Sequence, residues 1–111
     1  MERQVVARTS DVSPGMMVKV EGIDVLVANI DGEYHAVEAT CPHGQGKLWE
    51  GSLEGNIIVC PTHGARFDAH TGALQKPKVN YYGLPYGGPA TRDLKRYQVE
   101  VAGDEVAILT W

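Results

Sequence analysis

The chain has no hydrophobic run long enough to cross a bilayer; stretches such as VLVA at 25–28 are far too short. Its opening, MERQVVARTS, contains no apolar h-region and no small-residue cleavage site, so no secretory signal is expected and the cytoplasm is the default location. A basic cluster is also missing. Ten Lys and Arg stand against fourteen Asp and Glu, a net charge of -4, which argues against nucleic acid or an anionic membrane as partner. No stretch keeps a 3.6-residue period for three turns, so an amphipathic helix is not expected. Cysteine occurs twice, and in a reducing compartment two cysteines are better explained as ligands or free thiols than as a disulfide, although a Cys41 to Cys60 bridge is compatible with the sequence. At 111 residues and 12.1 kDa, one domain with one core is expected.

Period-2 alternation fills most of the remainder, and the fold class it predicts is all-β. Gln4 to Ala7 reads as a first strand and SDVSPG at 10–15 as a turn; Met16, Val18 and Val20 alternate with Met17 and Lys19 in a second strand. Val25 to Ile30, apolar nearly throughout, reads as a strand covered on both faces, and Asp31-Gly32 as a tight hairpin into Glu33 to Glu38. Short strands are expected at Asn56 to Val59 and Ala65 to Asp68, the latter closed by HTG at 70–72. Arg96 to Val101 places Tyr97, Val99 and Val101 on one face, AGDE at 102–105 turns, and Val106 to Leu109 follows. First and last strands are expected to pair as in a barrel, and KPKVNYYGLPYGGPA at 76–90 reads as a long ordered loop.

Both cysteines and two of the four histidines fall within residues 41–68, as Cys-x-His (Cys41, His43) and, after sixteen residues, Cys-x-x-His (Cys60, His63). Four soft or borderline ligands on two loops suggest a metal. A single zinc is the plainer possibility, but its usual knuckles pair cysteines two to four residues apart, whereas each loop here mixes one Cys with one His. A two-iron, two-sulfide cluster explains the mixture better, each loop placing its Cys on one iron and its His on the other. Pro42 and Pro61 would stiffen the loops, while Gly44, Gly46 and Gly64 would let backbone approach the sulfides. His35, in an alternating strand, and His70, in a turn, lie outside both loops and are assigned no chemistry. Trp49 is better explained by packing than by docking.

With CPHG and CPTHG the sequence resembles the Rieske iron-sulfur family, whose pattern is Cys-x-His, a spacer near sixteen, then Cys-x-x-His. DGEYHAVEATC, LWEGSLEG, ARFDAHTG and the GPA at 88–90 followed by LKRYQVEV extend the resemblance over nearly the whole chain. It implies a Rieske fold: an antiparallel β-sandwich or barrel base, 1–39 and 81–111, with an inserted cluster-binding subdomain, 40–80. It implies one 2Fe-2S cluster with Cys41 and Cys60 on the buried iron and His43 and His63 on the outer iron, covered by the loop of Gly88, Pro89 and Ala90.

Departures from the family's variants narrow the function. Quinol-oxidising Rieske subunits carry a further cysteine in each loop; the matching positions here are Gly46 and Thr62. Those proteins also place a serine hydroxyl on a sulfide and a tyrosine hydroxyl on a cysteine sulfur, where this chain has Ala65 and Phe67. Fewer donors to sulfur disfavour the reduced state, so a potential near the low end of the Rieske range, about -150 mV, is expected. Neither a membrane anchor nor a mononuclear-iron domain is expected, and the chain is similar to the Rieske ferredoxin of a multicomponent aromatic ring-hydroxylating oxygenase. The resemblance implies an electron carrier, not an enzyme, whose transient partners are a flavin-dependent NAD(P)H reductase and the terminal oxygenase. Gly44, Gly64, Trp49 and Pro89 are expected to rim the docking patch, and residues 40–80, at +1 against -5 for the flanks, should steer partners only modestly. The alternatives are a small Rieske subunit of an assimilatory nitrite reductase and a zinc-stabilised binding module.

Overall fold

A computed structural model of the chain describes residues 2–41, 46–61, 65–76 and 93–110. Among the described residues, ten strands form two antiparallel sheets. β1 (Glu2–Arg8), β2 (Met17–Lys19), β3 (Val25–Ile30), β4 (Glu33–Glu38), β9 (Arg96–Ala102) and β10 (Glu105–Thr110) make a six-stranded sheet in the order β1-β10-β9-β4-β3-β2. β5 (Ser52–Glu54), β6 (Ile57–Val59), β7 (Arg66–Asp68) and β8 (Leu74–Lys76) make a four-stranded meander. Two short 3-10 turns, Thr9–Asp11 and Leu48–Glu50, are the only helical segments among the described residues, and none is long and apolar enough to cross a membrane.

The hydrophobic alternation decides how the sheets are used. In β3 every residue from Val25 to Asn29 is buried: Val25 and Val27 join Ala36, Val106 and Ile108 in the interior of the six-stranded sheet, while Leu26 and Ala28 face the other way. There they meet Val37 and Ala39 of the β4 segment and, from the second sheet, Ile58 and Phe67. One pair of strands is thus shared by two apolar clusters, which is why a nearly continuous apolar run is stable at this place. Asn29, the buried amide in β3, donates to the Val12 carbonyl at 2.8 Å and accepts the Gly32 N–H at 2.8 Å, tying down the hairpin. Asp31 and Gly32 have φ of 53° and 92°, the positive values that a two-residue I′ turn requires.

Pairing of the chain ends is as expected, Glu2 opposite Thr110 and Arg8 opposite Glu105 with one irregularity between Val5 and Ala7. Val101 differs: it is 47% exposed, while Tyr97 and Val99 on the same strand pack on the core. The buried interior ends before the strand does. β5 and β8, three residues each, were not expected; β8 ends at Lys76, the first residue of what the composition marks as a loop, and residues 77–90 of that loop lie outside the described residues.

Candidate metal centre

Each cysteine heads a hairpin tip. In the first, Thr40 bridges Lys47, Leu48 N–H donates to the Ala39 carbonyl at 3.0 Å, and Cys41 N–H donates to the Gly46 carbonyl at 2.8 Å. In the second, Val59 pairs with Arg66, and Cys60 N–H donates to the Ala65 carbonyl at 2.8 Å. The two loops are therefore built alike: a backbone bond from each Cys to the carbonyl five residues on fixes where the loop leaves its ladder. His43 and His63, with Pro42, Gly44, Thr62 and Gly64, lie within these loops and outside the described residues.

Both thiols are buried, Cys41 at 2% and Cys60 at 3% exposure, in the same apolar cluster as Leu48, Ile58, Ala65 and Phe67, and no disulfide joins them. The ladders bring together two sulfurs nineteen positions apart in sequence. Two buried thiols, with one histidine following each in sequence at a spacing of two or three residues, are a donor set whose chemistry suits a metal centre of mixed sulfur and nitrogen ligation. The residues present fit such a group.

The surroundings of the sulfurs are apolar. Ala65 is 1% exposed and Phe67 fully buried, and neither side chain carries a hydrogen-bond donor. Gly46 is buried beside the first loop. Trp49 is half-buried against the same cluster, with the Lys19 Nζ 5.6 Å from its ring centroid, so its main role is packing. Arg66, next to the second loop, is paired with Glu54 at 2.8 Å, and the guanidinium holds that carboxyl below the usual range.

Gly51 sets the distance between the two loop supports, and the sequence alone did not single it out. A Cβ at Gly51 would overlap the Val59 carbonyl oxygen and touch Pro61 Cδ at 3.0 Å, so only glycine lets the segment after Trp49 lie against the strand entering Cys60. Gly51→Ala is expected to cost about 1–3 kcal/mol by overpacking and to lower metal incorporation. Denaturant unfolding of the metal-free protein and iron content of the purified variant measure both, and a variant equal to wild type in both would contradict the close approach.

His35 and His70, given no role above, lie together: their ring centroids are 4.1 Å apart, outside both cysteine loops.

Residues 2–85 match the Rieske [2Fe-2S] domain. Among relatives, the ferredoxin component of a biphenyl 2,3-dioxygenase from Rhodococcus jostii (strain RHA1) is 33% identical over 105 residues, covering 93% of this chain and 88% of its own length. Among solved structures, the Sphingomonas yanoikuyae B1 ferredoxin superposes with a TM-score of 0.78 at 30% identity, covering 96% of this chain and 97% of that one. A chain from the complex of reduced oxygenase and oxidised ferredoxin in carbazole 1,9a-dioxygenase superposes with a TM-score of 0.74 at 32% identity, covering 96% and 91%.

Proposed function

The chain belongs to the Rieske [2Fe-2S] domain family, and from that premise we propose that it is the ferredoxin of a multicomponent aromatic ring-hydroxylating oxygenase, a one-electron carrier that transforms no substrate itself. The observation that carries this is the pair of matched hairpin tips that bury Cys41 and Cys60 in one apolar cluster. Similarity to ferredoxin components named for biphenyl dioxygenase, and to the carbazole oxygenase complex, supports a terminal oxygenase as electron acceptor. The electron donor in this proposal is a flavin-dependent NAD(P)H reductase, and the site of action the cytoplasm.

One 2Fe-2S cluster would supply one-electron redox chemistry here. Cys41 and Cys60 would hold its buried iron and His43 and His63 its outer iron, with base residues 1–39 and 81–111 supporting a cluster-binding subdomain at 40–80. The buried thiols of Cys41 and Cys60 would keep water from the iron they hold, and the imidazoles of His43 and His63 would carry the iron that exchanges electrons with partners. Trp49, with Gly44, Gly64 and Pro89, would rim a small docking patch of the transient redox kind, below about 1,200 Å². Its near-neutral charge favours quick release over tight binding.

A redox titration with iron and sulfide analysis tests this. Two irons, two acid-labile sulfides and a midpoint near the low end of the Rieske range, about -150 mV, are expected; a colourless protein with one zinc would end the proposal. Ala65→Ser gives a sharper test. A hydroxyl placed beside a buried sulfur stabilises the more negative reduced state, and each 1.4 kcal/mol of differential stabilisation raises a one-electron potential by about 59 mV. A rise of tens of millivolts is expected; an unchanged or lower potential in a folded, fully loaded variant would contradict the placement of Ala65 next to sulfur.

A further inference from the structure

Away from the cysteine loops, three side chains with metal-ligating atoms converge. Glu33 and His35 lie two apart on β4 and so share one face of the strand. His70 comes from the turn after β7, in the other sheet. One ligand atom from each lies within 4.8 Å of the others, and His35 Nε2 is 3.5 Å from Glu33 Oε2.

We propose that Glu33, His35 and His70 form a divalent-cation site, best matched to zinc, that ties the six-stranded sheet to the four-stranded sheet. Two imidazoles and one carboxylate, with a water as fourth ligand, are a common zinc set. Tetrahedral ligands at about 2.0–2.2 Å from zinc stand roughly 3.4 Å from one another. The Glu33 and His35 atoms already have that separation, and the others need to close by little more than 1 Å. The exposed Glu33 side chain has room to rotate.

Two further observations point to a ligand. His35 Nε2 is buried with no hydrogen-bond partner, its approach to Glu33 falling short of hydrogen-bond geometry, and an orphaned buried nitrogen is costly unless something satisfies it. His70 is held in place in advance: its N–H donates to Asp68 Oδ1 at 2.8 Å, Asn56 Nδ2 donates to Asp68 Oδ2 at 3.2 Å, and Gly72 N–H donates to the Asp68 carbonyl at 2.7 Å. A turn fixed in this way presents its imidazole at little entropic cost. Burial first, and then His70, pushes the His35 imidazole below its ordinary range, which keeps it neutral near pH 7 as a metal ligand must be. The Arg96 charge acts against a cation here, and the Glu33 carboxylate offsets it.

The site uses none of the residues proposed to hold the iron-sulfur cluster, so its test is independent of that reading. Protein as purified, treated with a weak chelator and desalted, is titrated with zinc chloride by calorimetry while visible absorption and iron content are followed. One zinc per chain is expected at micromolar concentration, with iron unchanged and a raised thermal midpoint. His70→Ala, at a half-buried turn position, is expected to weaken binding at least about tenfold and to remove the thermal shift, and Glu33→Gln to weaken it less. Failure of wild type to bind zinc below about 100 µM, equal affinity in wild type and both variants, or zinc uptake matched by iron loss would each overturn the proposal.

Discussion

His63→Ala is expected to yield a folded protein without the cluster's visible absorption or its electron paramagnetic resonance signal. The effect should be complete because a four-ligand centre leaves no spare donor: the chain has two cysteines, both already assigned, and its remaining histidines, His35 and His70, stand together elsewhere. The fold should survive. The loop holding residue 63 leaves its ladder through Cys60 N–H to the Ala65 carbonyl, a backbone bond that no side chain of the loop supplies. Far-ultraviolet circular dichroism would therefore stay near wild type while iron and sulfide fall to background. An unchanged resonance spectrum would show the ligand assignment to be wrong. His43→Ala should behave alike, since the first loop leaves its ladder through the matching bond, Cys41 N–H to Gly46.

Phe67→Ala should cost about 3–5 kcal/mol, the usual range for truncating a fully buried aromatic. Against a typical total of about 5–15 kcal/mol, that loss is enough to leave a marginal fold. Phe67 is fully buried and belongs to the cluster that contains both cysteines, Leu48 and Ile58. Its strand, β7, is flanked by β6 and β8, so the cavity cannot be filled by moving one edge. Denaturant unfolding of the metal-free variant measures the loss. Phe67→Leu, which keeps much of the volume, should recover most of it. A drop below about 1 kcal/mol for the alanine variant would mean that the second sheet contributes little to holding the two cysteine loops together.

The β4 hairpin was fully legible beforehand: a six-residue run apolar but for Asn29, Asp-Gly, then an alternating run leave few other foldings, because turn chemistry and period act over neighbouring residues. β5 and β8 were not. Three residues are too few to display a period of two, and such strands exist because a neighbour pairs with them. Val101 illustrates the converse: its alternation is correct, but burial depends on where the opposite wall ends.

Ligand spacing, the β pattern and the absence of donors at Ala65 and Phe67 were determined by the sequence itself, since each is a property of residue types at fixed local separation. Tertiary structure alone decided that Cys41 and Cys60 share one apolar cluster, that Gly51 must pass against the Val59 carbonyl, and that His35 and His70 meet. These are contacts between residues 8 to 35 positions apart. Their existence depends on the order in which strands assemble into sheets and on the packing of one sheet over another, and no local pattern encodes that order.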